Sequence, residues 1–203
     1  MTKTETLMAD LEEASRIAKA GEDMPLVGGP IGLMWGVLLT GVFAVHYMIL
    51  ERVLDLPDWS FAILWIGFAV IGGLGSAILG RNVEAKPGAS STANVVEQNI
   101  WMMFAAAMAS LAVGVLLNIV LAGGTHDLWT IILIVGFAGQ GLAYGVVAKL
   151  TGHSWLHFAA FAGFTMAAMT MSFYGQNIIY FIAAIGSVVT IIIPSLLSMK
   201  AAG

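Results

Sequence analysis

Six long apolar stretches, separated by short polar ones, dominate the pattern of hydrophobic positions along the chain. They cover residues 28–50, 59–80, 99–122, 128–148, 153–174 and 177–198. None of the six contains Asp, Glu, Lys or Arg. A bilayer core is about 30 Å thick, and a helix needs about 20 residues to cross it. Because the stretches also lack the period-two alternation of barrel strands, they predict an all-α, polytopic membrane protein with a bundle of six transmembrane helices.

The basic residues favour one orientation of this bundle. With the N-terminus in the cytoplasm, seven of the eight Lys and Arg residues lie in cytoplasmic segments, and only Arg52 lies outside. Cytoplasmic segments of membrane proteins carry an excess of Lys and Arg, so both termini are expected to be cytoplasmic. The first apolar stretch follows a long acidic segment, unlike the short basic start of a cleaved leader. We therefore expect a multi-pass protein of the bacterial inner membrane.

The chain divides into an N-terminal cytoplasmic segment, residues 1–27, and a transmembrane domain, residues 28–203. Within the first, a short amphipathic helix is predicted that has Leu7, Leu11 and Ala14 along one stripe. Residues 1–23 contain six acidic and three basic side chains, so an anionic lipid surface would repel this helix. It is therefore predicted to dock on a cytoplasmic protein. The alternatives are a helix lying on the protein's own inner face, or a frayed tail.

Composition narrows the possible functions further. The chain of 203 residues is 59% hydrophobic and only 10% charged, whereas soluble domains have about 25% charged residues. With eight basic residues and a net charge of -4, it offers no surface that would neutralise the phosphates of nucleic acid. It has no cysteine, and hence neither disulfides nor thiolate metal sites. This composition excludes a soluble enzyme and a nucleic-acid partner. The partner that it predicts is the lipid bilayer.

Local sequence signals predict where several helices begin and bend. Asp58 and Asp127 precede the second and fourth stretches and are expected to cap them. Asn94 and Glu97 have the spacing of a capping box before the third stretch. Pro194 is expected to kink the last one, because proline lacks the N–H that an interior helical residue donates.

Polar side chains at mid-depth are the candidates for a binding cavity. Gln140 is expected to face inward on a stripe with Tyr144, because an unpaired amide in hydrocarbon is costly. Its partner is a hydroxyl on another helix, a trapped water or a ligand. Asn118, near the outer end of its helix, has the same three possible partners. His157 and Thr165 share a face that either lines a path from the cytoplasm or forms a packed seam.

The four histidines do not predict a metal or haem site. His46 and His126 are expected at the outer side, whereas His153 and His157 are expected at the inner side, so the two pairs do not meet. The HSWLH sequence around His153 also lacks the Glu of the zinc motif H-E-x-x-H. We expect interfacial histidines, no metal site, no cofactor and no catalytic residues. The absence of a carboxylate inside the predicted spans also argues against ion-coupled transport.

An internal similarity links the second and fourth stretches at an offset of 69 residues. The segment from Asp58 to Gly72 shares seven residues with the segment from Asp127 to Gly141. Parallel repeats of this kind occur in some transporters. The alternative is coincidence among a restricted set of apolar residues.

Two functions remain in view, and a third is less favoured. The first is a non-enzymatic accessory, scaffold or regulatory membrane component that acts through its helix surfaces and its N-terminal helix on a membrane or cytoplasmic protein. The second is a facilitator or binding bundle for a small neutral or apolar solute, with a cavity near Gln140. The third is an intramembrane enzyme or haem protein.

Overall fold

The computed structural model describes residues 7, 8, 10–12 and 26–202. Every element of residues 26–202 is helical, which confirms the predicted all-α class. The α-helices are α1 Gly29–Leu50, α2 Ser60–Glu84, α3 Thr92–Ala122, α4 Trp129–Thr151, α5 Trp155–Ser172, α6 Ile178–Ser187 and α7 Ile193–Ala202. A π-helical segment, Val188–Ile192, joins α6 to α7, and a short 3-10 turn, His126–Leu128, precedes α4.

Five segments are long and apolar enough to cross a membrane. They are Gly29–Leu50, Ser60–Glu84, Thr92–Ala122, His126–Thr151 and Ile178–Ala201. The chain therefore has the helices of a membrane protein. Helix α5, which has 18 residues and includes His157 and Thr165, is not among the five.

Helix α1 runs antiparallel to the α6–α7 unit along its whole length. At one end Gly29 lies against Met199, and at the other the rings of Tyr47 and Phe181 are 5.5 Å apart. Small residues on α1 allow this close approach, since packing contacts drive helix association in lipid. We call the end of the bundle with Leu26 and Ser198 the proximal end, because the Ser198 hydroxyl donates to the Leu26 carbonyl at 3.1 Å. The opposite end, where Asn177 donates to Glu51, is the distal end.

Helices α4 and α5 form the closest pair in the bundle. A Cβ added to Gly163 would lie 2.8 Å from the backbone nitrogen of Gly141 and 2.9 Å from the carbonyl oxygen of Phe137. At the proximal end Leu156 packs with Val147 in a cluster of buried apolar side chains. The two helices are thus antiparallel and in contact from the Val147–Leu156 level to the Phe137–Gly163 level, as their short connection predicts.

Helices α2 and α3 lie at opposite edges of the bundle. Helix α2 packs on α1, where the Trp35 indole donates to the Ser76 hydroxyl at 2.9 Å. Helix α3 packs on α4, where Phe104 covers Gly139. The pair α2–α3 is therefore splayed, whereas the pair α4–α5 is tightly packed. The similar sequences of α2 and α4 thus pack differently against the helix that follows each of them.

Two predicted helix caps and one predicted helix start are wrong. Asp58 and Asp127 cap neither α2 nor α4, whose N-cap residues are Trp59 and Leu128. Helix α3 begins at Thr92 instead of residue 99, and its cap is the Ser91 hydroxyl, which accepts from the Asn94 N–H at 3.4 Å. The reason is that helical structure continues beyond the apolar stretch into polar sequence, so hydrophobicity alone places the boundary too late.

The contact between Gly163 and Gly141 predicts a large effect of one substitution. Gly163→Val should lower the free energy of unfolding by about 1–3 kcal/mol, because the new side chain meets backbone atoms and overpacks the pair. Gly114→Val is the matched control, since nothing lies within 4 Å of a Cβ added there. Unfolding of both variants in mixed detergent micelles measures the difference. Equal losses for the two variants would contradict the close packing of α4 and α5.

Candidate functional site

The five predicted cavity residues do not converge on one place. Gln140 and Tyr144 are buried, which confirms that this stripe of α4 faces inward. Asn118, His157 and Thr165 are exposed on the outside of the bundle. The shared face of His157 and Thr165 is thus an outward surface, neither an inward path nor a packed seam within this chain.

Gln140 makes a polar contact at the centre of the bundle. The Thr190 hydroxyl, on the π-helical segment, lies 2.9 Å from Gln140 Oε1 and 2.8 Å from the Gly186 carbonyl oxygen, and it donates to either. Both side chains are buried. The amide thus has a hydroxyl partner on another helix, so this contact joins α4 to the α6–α7 unit.

The π-helical segment positions Thr190 for this contact. It ends at Ile192, just before Pro194, whose missing N–H leaves the helix without one of its regular hydrogen bonds. Departures from α-helical geometry are expected at such a residue. The structure thus has a π-helical segment shortly before Pro194, where a kink was predicted. Segments of this type are frequent at functional positions.

A second polar cluster fixes the start of α1 at the proximal end. The Asn94 side chain is fully buried; its Oδ1 accepts from the Val27 N–H at 2.9 Å and its Nδ2 donates to the Gly88 carbonyl at 3.0 Å. Ser198 holds the Leu26 carbonyl from the opposite side. The chain is thus held by α3 and α7 immediately before it enters the bundle.

Glu97 completes this proximal cluster. A Cβ added to Gly28 would lie 3.2 Å from Glu97 Oε2, so the carboxylate lies against the first residues of α1. The N-cap residue of α1 is Gly28, which has no side chain to accept from the free N–H groups. The carboxyl group of Glu97 on α3 lies beside this N-terminus, so a second helix places a polar group where the first N–H groups of α1 lack intrahelical partners.

The sequence singled out two residues of this cluster, but it predicted a different role for them. Asn94 and Glu97 have capping-box spacing, and they were expected to serve their own helix. In the structure they bind the start of α1 instead, about 67 residues away along the chain. A pattern within one helix does not identify a partner at that distance.

The histidines lie in three different environments. His46 Nδ1 accepts from the Trp65 indole at 3.1 Å. His153 Nδ1 lies 3.0 Å from the Thr151 carbonyl oxygen, and His157 Nδ1 lies 3.3 Å from that of Ser154. Among the described residues, no group of three or more His, Asp and Glu is arranged to hold a metal ion.

The predicted docking residues of the N-terminal helix are only partly described. Leu7 and Leu11 belong to a helical stretch and are exposed, as is Met8 between them. Ala14, and with it most of the predicted helix, lies outside the described residues.

Comparisons of the chain with protein-family models, with curated proteins and with solved structures gave no match.

The contact between Gln140 and Thr190 predicts a measurable coupling. Replacing either residue with an apolar one of similar size, Gln140→Leu or Thr190→Val, should destabilise the bundle, and the double variant should lose less than the sum. Interhelical hydrogen bonds in membranes contribute about 0.6 kcal/mol on average and up to about 1.7 kcal/mol. Thr165→Val, at an exposed position of α5, is the control and should change little. Strict additivity of the two losses would show that the residues do not interact.

Proposed function

We propose that the chain is a multi-pass inner-membrane protein with six crossings and cytoplasmic termini that works as a non-enzymatic accessory, scaffold or regulatory component. Its bundle anchors an N-terminal helix, and this helix docks on a cytoplasmic protein. The observation that carries the proposal is the exposure of Leu7, Met8 and Leu11, which are 55%, 64% and 66% exposed outside the apolar spans.

The packing of α5 supports six crossings. Helix α5 follows α4 antiparallel from Leu156 to Met166, and an α-helix of 18 residues is about 27 Å long. Because α4 is one of the five spans, a neighbour that contacts it along its length occupies the same depth. The hydrogen bond between Ser198 and Leu26 also brings the beginning and end of the bundle to the same side, as an even number of crossings requires.

The charges at the two ends support the proposed orientation. Four of the five Lys and Arg residues in the described part of the chain, Arg81, Lys86, Lys149 and Lys200, lie at the proximal end. The distal end has Arg52. The positive-inside rule therefore favours a cytoplasmic proximal end.

The exposed N-terminal side chains favour a protein partner. Leu7 and Leu11 are one helical turn apart and therefore share a face. Asp10 and Glu12 lie beside them, so the apolar face has an acidic border. An apolar groove rimmed by basic residues is the complementary surface, and a helix in a groove is a common mode of recognition. The same acidic residues would be repelled by an anionic leaflet.

A facilitator with a cavity at Gln140 has less support. Gln140 already bonds to Thr190, and three of the five predicted lining residues face outward. A facilitator needs a continuous polar path through the membrane, whereas a scaffold does not. The buried polar side chains described above make contacts between helices, as a scaffold requires.

The absence of cysteine allows a direct test of the topology. Single cysteines at Ser90 and Ser154 should be protected from a membrane-impermeant maleimide added to intact cells, whereas cysteines at Asp55 and Thr125 should be labelled. All four should react after the cells are permeabilised. In the same assay a cysteine at Gln176, which is exposed between α5 and α6, should be labelled in intact cells, and its protection would overturn the six-crossing arrangement.

The docking role predicts a position-dependent crosslink. A photoreactive amino acid at Leu11 should give one discrete protein adduct in living cells, and the adjacent Glu12 position should give much less, because neighbouring residues of a helix point about 100° apart. A Leu7→Glu substitution should abolish the Leu11 adduct while the bundle still unfolds at the parent temperature. Equal adducts from both positions, or an adduct that survives Leu7→Glu, would contradict a docking face.

A further inference from the structure

Three helices bring an aromatic cluster together at the distal end. The imidazole of His46 on α1 stacks on the ring of Tyr180 on α6, with centroids 3.8 Å apart and an angle of 17° between the planes. Two rings of α2 complete the cluster: Phe61 at 4.5 Å and Trp65 at 6.0 Å from the imidazole. The imidazole is thus held in one orientation by rings on several sides.

Trp65 also determines which nitrogen of His46 carries the proton. An indole N–H is only a donor, so His46 Nδ1, which receives it at 3.1 Å, must be the accepting nitrogen. The neutral ring therefore has its proton on Nε2. In this tautomer Nε2 has no lone pair for a metal or haem iron, and His46 presents a fixed, uncharged hydrogen-bond donor.

Two donors of the stacked pair have no partner within the described chain. These are His46 Nε2 and the Tyr180 hydroxyl. Among the described residues, only one fully buried side-chain polar atom lacks a hydrogen bond, and it is Ser60 Oγ. His46 Nε2 and the Tyr180 hydroxyl also lack a hydrogen bond, so neither of them is fully buried. The two donors are therefore still reachable from outside the protein, and leaving them unpaired beside apolar rings would be unfavourable.

The surroundings of the pair define the acceptor that fits. Glu51, Asp55, Asp58 and Asp127 outweigh the single cation Arg52 at the distal end, so an anionic acceptor would be repelled. His46 is four residues before the end of α1 at Leu50, which is about 6 Å along the axis and places it at the border of the hydrocarbon. A neutral carbonyl oxygen on a lipophilic molecule meets both conditions.

We propose that His46 and Tyr180 form a binding site for a lipophilic molecule that bears a carbonyl group, whose oxygen accepts from His46 Nε2. The ester carbonyl of a bilayer lipid and the ring carbonyl of a quinone share this chemistry. The site is independent of the N-terminal docking role. It needs no metal and no change in the charge of His46.

The two sources are distinguished by the choice of lipid. The full chain, labelled with ¹⁵N-histidine, is placed in nanodiscs of diether phosphatidylcholine, which has no carbonyl, and titrated with decylbenzoquinone. The His46 Nε2 resonance, identified by its loss in His46→Asn, should shift and saturate. If diester phosphatidylcholine alone produces the shift, the lipid ester is the ligand. If only the quinone does, the ligand is of the quinone type.

Two variants and a control complete the test. Tyr180→Phe keeps the stacked ring but removes one donor. It should weaken the binding of the carbonyl ligand, whether quinone or ester lipid, about fivefold. His46→Phe should abolish saturable binding. His126→Asn, at the same end but outside the stack, should leave the affinity unchanged. The proposal is overturned if the Nε2 resonance is the same in diether lipid, diester lipid and quinone, or if His46→Phe binds the quinone as the parent does.

Discussion

The bundle depends on one constraint: polar groups that lie in hydrocarbon must find their partners within the protein. Backbone groups do so inside each helix, and hydroxyls such as those of Thr40 and Thr170 donate to carbonyls of their own helix. A few other polar side chains do so between helices. Gln140 meets Thr190 at the centre, and Asn94 meets the Val27 N–H at the proximal end. Because lipid provides no hydrophobic drive for association, these few contacts and the close approach of glycines such as Gly163 hold the helices together.

The same constraint explains why the proposed functions lie at the ends of the bundle. Its centre is occupied by side chains that bind one another, so the groups still available for a partner are near the two surfaces. In the N-terminal segment these are the exposed apolar residues Leu7 and Leu11, in an acidic setting. At the distal end they are the donors of His46 and Tyr180. Different exposed chemistry in the N-terminal segment and at the distal end is what the proposed accessory role requires.

The sequence predicted the helices and the burial of Gln140 well, because both follow from local hydrophobicity and from the cost of an unpaired amide. Its failures have a common cause. Helical spacing correctly puts His157 and Thr165 on one face, but it does not say whether that face points inward or outward. Likewise, Asn94 and His46 acquire their roles from Val27 and Trp65, on other elements of the chain. Such long-range contacts are a property of the packing, which one sequence pattern does not specify.

Helix α5 is the element on which the account of the membrane domain rests, since it is shorter than the five apolar spans and yet packs along α4. Its depth is measured by a spin label at Thr165, compared with a label at Ile71 in the middle of α2. We expect both labels to collide often with oxygen and rarely with a water-soluble nickel complex, as they would in hydrocarbon. A label at Thr165 that is readily accessible to the nickel complex would place α5 in water, leave five crossings, and contradict the six-helix membrane bundle.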